Sequence, residues 1–327
     1  MNQHDHTVSQ TRMFLENMVG FAINATAAGH HVTPSQIVES TLGKLLEVSE
    51  QHFPLAKILD TSDIILRAEG PGAATSMPWL SALNWVSSTA ERNIRELSIA
   101  YFEMRGVNGK KIVKGMDTRL TGVAPGSLWM GIKVGSPSED HAHINEDQDG
   151  PTLVEEIRNL PAIARFIDNE GMLSGLEEVA PDPAMRDISL NALLRFSPTG
   201  QRGIHTLDLA TGSEGMARLG QRERVVLKEA VEKPSMQRAR HGSFVGEIRA
   251  ADLDRSRMML RSVQGVGTLR CVMPDLSAQQ ASRLIGRFVC AVGSYQVDKN
   301  GRPRLMFVDR FEEPRFSPEH QLDLPIG

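Results

Sequence analysis

The residues best suited to chemistry lie between 139 and 149. Here Glu139-Asp140-His141-Ala142-His143-Ile144-Asn145-Glu146-Asp147-Gln148-Asp149 sets two histidines among carboxylates. Imidazole and carboxylate form an ordinary ligand set for a transition metal, and a metal held by His141 and His143 would activate water for hydrolysis. Such a site also needs ligands fixed by packing and by supporting hydrogen bonds. The run from Ser136 to Gly150 is nearly devoid of apolar side chains, which is equally the composition of a solvated acidic loop. It lacks the central glycine and closing glutamate of an EF-hand. Two further histidine pairs read as structural: His4/His6 in an expected tail, and His30-His31 past a helix end, where an imidazolium favours the helix dipole.

Nucleophile settings are scarce. Gly-x-Ser-x-Gly does not occur, and Ser213 in Thr-Gly-Ser-Glu-Gly reads as a turn and helix cap. Cys271 and Cys290 stand near Arg270 and Arg287, which would lower a thiol pKa, but their strand phase places both in a core. A phosphate loop, a dinucleotide fingerprint and His-Glu-x-x-His are all missing from the sequence. These motifs imply no cofactor.

Charge is distributed unevenly. The net charge of −4 gives no global attraction to nucleic acid. Between Arg238 and Arg315, however, 14 basic residues face 8 acidic ones, so this stretch is positive and the remainder strongly negative. Two cysteines expected in strands suit a reducing cytosol. No apolar run approaches the ~20 residues of a membrane helix. The Met1-Asn-Gln-His-Asp-His start lacks the basic and apolar regions of a signal peptide. The expectation is a cytoplasmic protein of bacterial style with no membrane association.

The elements that must position these residues are clearest in the last quarter. Period-two alternation predicts strands at Phe244–Ala250, Met258–Val263, Val266–Met273, Phe288–Val297 and Arg304–Phe311. A capped helix is expected at Ala278–Ile285 and a turn at Asp298-Lys-Asn-Gly301. That order is that of a small closed β-barrel of OB or SH3-like kind. The inward set is expected to include Phe244, Ile248, Met258, Leu260, Leu269, Cys271, Phe288, Cys290 and Val292. Arg249, Arg257, Arg261, Arg270 and Arg304 then emerge outside as candidates for nucleic acid or a protein partner, the acidic α+β half of the same chain included. An oligonucleotide face also needs stacking aromatics, and Tyr295, Phe307 and Phe311 share phase with apolar neighbours.

Upstream, the fold class is α+β. Helical spacing of Phe14, Met18 and Phe21 predicts the first helix of a hairpin over 8–60 whose apolar face needs a cover. An α+β domain spans 61–210, with a small sheet and helices on one face. Its strand Asp63–Ala68 leads to a long helix opened by Ser76 and Pro78, bearing Trp79, Leu83, Val86, Ala90, Ile94, Leu97 and Tyr101 on one face. A basic loop, Lys110–Lys114, leads to the hairpin Thr118–Val123 and Leu128–Val134. Helices open at the Thr152/Glu155 capping box and at Asp182-Pro183, and Gly203–Leu209 closes the sheet. A helical connector and linker fill 211–242, the barrel 243–313 and a tail 314–327.

The strand, Gly70-Pro71 and long helix, then Leu120-Thr-Gly-Val-Ala-Pro-Gly-Ser-Leu128, Asp252-Leu-Asp-Arg-Ser-Arg257 and Asp298-Lys-Asn-Gly-Arg-Pro303, resemble a group of uncharacterised two-part bacterial proteins. The resemblance covers 61–313 and implies an antitoxin-like or defence-associated accessory; it carries over no catalytic residue. Three readings follow. The first is a non-enzymatic interaction or regulatory protein, acting on a protein partner or as a homo-oligomer through the barrel and the Phe14/Met18/Phe21 helix. The second is nucleic-acid binding by the barrel arginines. The third is a metal-dependent hydrolase using His141 and His143.

Overall fold

The run Ile64-Ile-Leu-Arg-Ala-Glu69 makes a strand with Ile64, Leu66 and Ala68 on one face and Ile65 on the other, and covering both sets the layering of the molecule. The structure is a computed structural model that describes residues 16–17, 19–20, 23–29, 54–73, 77–124, 127–135, 151–168, 170–212, 215–234, 239–253 and 256–314. Strand β1 (Ile64–Glu69) lies at the centre of a five-stranded antiparallel sheet. It pairs with β3 (Leu128–Val134) on one side and with β4 (Thr206–Ala210) on the other. β2 (Thr118–Ala124) and β5 (Ala217–Leu219) are the outer strands.

One sheet face presents Ile64, Leu66 and Ala68 to the main core. Helix α2 (Leu80–Met104) packs there through Val86, Ala90, Ile94, Leu97 and Tyr101, the stripe its spacing predicts. The helix starts later than expected: Trp79 is its N-cap, without a side-chain capping bond, and is half exposed. The other sheet face carries Ile65, Ala124 and Ala210, covered by Ile58 of helix α1 (Pro54–Thr61). Helices therefore lie on both faces rather than one. Pro54 opens α1 because its missing N–H is one a helix start would leave unpaired.

The remaining helices follow their capping chemistry. The expected basic loop is a short helix, α3 (Gly109–Val113), capped by Asn108 accepting from the Lys111 amide at 3.2 Å. Thr152 and Glu155 form the capping box that opens α4 (Leu153–Arg158), and Pro161 lies in the first turn of α5 (Leu160–Ala164). A single turn, α6 (Leu176–Val179), precedes α7 (Pro183–Phe196), where Asp182 accepts from the Ala184 and Met185 amides at 2.8 and 3.2 Å. Helix α7 is buried almost all round. From the stretch read as connector come β5 and α8 (Gln221–Glu232), whose Leu227 and Val231 join the main core. Of the N-terminal hairpin, residues 16–17, 19–20 and 23–27 are helical. Phe14, Met18 and Phe21 lie outside the described residues, as do His141 and His143.

The C-terminal strands close a five-stranded barrel in the order β10-β8-β7-β6-β9. They are β6 (Arg240–Asp252), β7 (Arg257–Val263), β8 (Gly267–Val272), β9 (Phe288–Val297) and β10 (Pro303–Glu312). All pairs are antiparallel except β8 with β10. Curvature comes from the register shifts at Ile248/Ala250 and Val308/Arg310 and from glycine. A Cβ on Gly246 would lie 2.6 Å from the Arg261 carbonyl oxygen. Helix α9 (Ala278–Leu284), with its Ser277/Gln280 capping box, packs Ala281 and Leu284 onto the barrel core.

The core holds Ile248, Met258, Leu260, Leu269, Cys271, Val289, Ala291, Met306 and Val308. In β9 this is the opposite phase from the expected Phe288, Cys290 and Val292: Phe288 and Cys290 are half-buried, and Val292 is buried outside the core cluster. The run Phe-Val-Cys-Ala-Val is apolar in both phases, and a one-residue slip exchanges the faces. Both cysteines are free thiols, and burial pushes Cys271 up to about 12, against the nearby Arg270 charge. Tyr295 packs edge-to-face on Phe244 at 4.9 Å and, like Phe311, leans on the barrel core.

Candidate functional site

The outward side chains of β7 and β8 alternate with the core set, so Arg257, Met259 and Arg270 must leave the barrel together. They do not meet solvent. Met259 is buried in the main core of the α+β body. Arg257 and Arg270 close on Asp187, one turn into α7. The Asp187 Oδ1 accepts from Arg257 Nη2 at 2.7 Å, and its Oδ2 accepts from Arg257 Nε at 3.0 Å and Arg270 Nε at 2.6 Å. All three residues are buried. Arg257 also donates to the Val231 carbonyl at the end of α8. Burial alone would push the Asp187 carboxyl up; the Arg270 and Arg257 charges and their hydrogen bonds outweigh it and hold the group below the usual carboxylate range.

Helix α7 reaches two more barrel strands with the same turn. Asp182 accepts from Arg304 Nε of β10 at 2.8 Å. Arg186 donates to the buried Gln296 of β9 at 3.1 Å and to the Ala180 carbonyl at 2.9 Å. The spacing 182, 186, 187 thus ties one helix end to four of the five strands. Arg261 donates to the Val107 carbonyl at 3.4 Å. Arg249 is the exposed member of the set and pairs with Glu247 of its own strand at 2.9 Å. Each of the five candidate arginines therefore has a carboxylate or carbonyl partner in the same chain.

Two clefts flank this bridge. The first, of about 980 Å³, is lined by Arg105, Glu156, Asp182, Lys299, Arg302 and Arg304 among others. Tyr101 and Arg105 both donate to the Pro151 carbonyl, at 3.0 and 2.9 Å, and the Arg105 guanidinium lies 3.6 Å over the Tyr101 ring. Glu156 is buried behind them. Burial first, and the Asp182 charge second, push its carboxyl up to about 7, against the pull of Arg105. A carboxyl near 7 has the proton affinity of a general acid or base.

The second cleft, of about 970 Å³, runs along the seam between α2, α7 and the edge of the barrel. Seven of its lining side chains are Lys or Arg and three are carboxylates. The buried Asn93 and Asn191 border it from the two helices. Burial pushes the Glu103 carboxyl up at its margin, although Arg261, Lys110 and Arg270 draw it down.

Among the described residues no group of three or more His, Cys, Asp or Glu could hold a metal ion, and no helix is long and apolar enough to cross a membrane. Comparison with protein-family models, curated proteins and solved structures finds no match for this chain. Sequence reasoning placed the arginines outside the barrel but missed Asp187, Glu156 and Asn93. The only signals were a carboxylate and an amide at positions that helical spacing puts on packed faces.

Proposed function

We propose that this protein is a non-enzymatic binding protein of regulatory type, built on an OB-type barrel whose ligand face is turned onto its own α+β body. The barrel's strand order, its parallel β8–β10 closure and the helix between β8 and β9 suit that type. Such barrels hold oligonucleotides on their second and third strands, here β7 and β8. The observation that carries the reading is Asp187 seated between Arg257 and Arg270. A phosphate arriving there would have to displace a buried, doubly paired carboxylate. Interaction with a protein partner or a second copy fits the N-terminal helix, on which Val19 and Ile23 are exposed. An antitoxin-like or defence-associated accessory is the form of this reading that the resemblance implies.

The test is fluorescence anisotropy with labelled single- and double-stranded oligonucleotides at low and moderate salt. Affinity no tighter than the ~10⁻⁴–10⁻⁶ M of non-specific binding is expected, with Arg257→Gln and Arg270→Gln changing stability rather than retention. Tight, salt-sensitive binding that these substitutions abolish would establish the nucleic-acid reading instead.

A further inference from the structure

The first cleft holds a carboxyl without a partner. Glu156 lines it and is 7% exposed. Among the described residues its side chain accepts no hydrogen bond and joins no ion pair, and neither oxygen is sealed from the cleft. Buried carboxylates are ordinarily paired, so this one lacks the donor that would hold it ionised. The groups that face it are already committed. Arg105 of α2 donates to the Pro151 carbonyl and lies over the Tyr101 ring, whose hydroxyl donates to the same carbonyl. Asp182, at the start of α7, holds Arg304 of β10, and Glu155 turns back to the Thr152 amide.

Charge gives the sign of the missing partner. Five of the lining residues are Lys or Arg and five are Asp or Glu. One of those cations, Arg158, is already held by Asp63, which lies outside the lining. With Asp63 added to the five, six carboxylates face five cations, so an ionised Glu156 leaves one negative charge unanswered. At Glu156 itself burial and Asp182 push the proton affinity up, Glu155 adds to them, and Arg105 alone opposes. An arriving cation is therefore favoured there and an anion is not. Met104, Val179, Met185 and Val266 line the same cleft and offer apolar contact. A volume of about 980 Å³ suits an organic molecule rather than a bare ion.

We infer that the cleft between α4, the start of α7 and the β9–β10 turn binds a small organic monocation, a primary amine or guanidine with an apolar body, through an ion pair to Glu156. Such a site adds a small-molecule ligand to the interaction role proposed above and stands whether or not the barrel arginines meet a partner. The lining comes from both the α+β body and the barrel turn that carries Lys299 and Arg302, so an occupant touches both modules.

Isothermal titration of the full chain at about pH 8 with hexylammonium, benzylammonium and butylguanidinium tests it, with N-acetylhexylamine, hexanoate and sodium chloride as controls. At least one organic cation is expected to bind with Kd below about 1 mM, and the neutral amide, the anion and sodium at least about tenfold more weakly. Affinity for the cation is expected to fall about tenfold between pH 8 and pH 6, because a proton on Glu156, whose carboxyl titrates at about 7, competes with it. Glu156→Gln keeps the shape and removes the charge. It is expected to weaken binding by more than about tenfold and to abolish that pH dependence, with near-ultraviolet circular dichroism showing that the variant is folded. No binding by any of the three cations at pH 8 overturns the inference. So does hexanoate or the neutral amide binding as tightly as the best cation, or an affinity unmoved by Glu156→Gln or by pH.

Discussion

Replacing Asp187 by asparagine is expected to lower the unfolding free energy at pH 7 by about 3–5 kcal/mol. The residue is the sole carboxylate in direct contact with both Arg257 and Arg270 among the described residues, and all three are buried. An asparagine keeps one acceptor and loses the charge, leaving two buried guanidinium groups without the negative charge that Asp187 supplies. The loss is far larger than that of an exposed pair such as Arg310–Glu312, worth about 0–1 kcal/mol. The triple replacement Asp187→Leu, Arg257→Met, Arg270→Met is expected to recover most of the loss, because apolar groups of similar volume carry no desolvation cost. Urea unfolding of the wild type and the two variants measures both effects. A loss under about 1 kcal/mol for Asp187→Asn would show that the triad is solvated. The pair also sets an acid limit. Because the folded Asp187 value lies below the ordinary 3.8, its contribution is fully present above that pH and is lost as pH falls further.

The second large effect runs the other way in pH. Glu156 is pushed up from 4.5 to about 7 by burial and by Asp182. Between those values the folded chain binds one proton more than the unfolded chain, so stability falls as pH rises. The total is of the order of 3 kcal/mol by pH 8. Glu156→Gln removes the titration. The variant is expected to match the wild type near pH 4.5, to lose the decline between pH 5 and 8, and to be the more stable protein at pH 8. Parallel stability curves for the two proteins over that range would mean that Glu156 is ionised and solvated at neutral pH.

The barrel was legible strand by strand because two local signals agreed. Alternation gave the faces, and turn chemistry such as Asp298-Lys-Asn-Gly301 gave the ends; there Asp298 accepts from the Asn300 and Arg302 amides at 2.9 Å. β9 alone had its phase reversed, because its sequence is apolar on both faces. The capping boxes at Thr152 and Ser277 were equally local and stand as written in the sequence. What failed to show was tertiary. Strand β5 is three residues long, too short for a period to register. Lys110–Lys114 reads as a loop because the helix there, Gly109–Val113, is too short for helical spacing to register.

The site was the least legible part. Asp187 sits in a helix buried on nearly every side, so no amphipathic pattern marks it as special. Its partners lie 70 and 83 residues away. Glu156 follows the Thr152/Glu155 capping box, but its environment comes from burial, from Asp182 and from Arg105 about fifty residues earlier. The sequence did disclose the imbalance between a basic barrel and an acidic remainder, and the structure gives that imbalance a physical meaning at the seam.

Arginine-selective modification with phenylglyoxal followed by peptide mass mapping reads directly where the guanidinium groups of β7 and β8 point. The side chains of Arg257 and Arg270 are 4% and 9% exposed, against 57% for Arg249. In the native protein Arg249 is expected to be modified rapidly while Arg257 and Arg270 stay protected until the chain unfolds. If Arg257 and Arg270 react as fast as Arg249 in the folded protein, the barrel face is open to solvent, and the inward-turned arrangement is wrong.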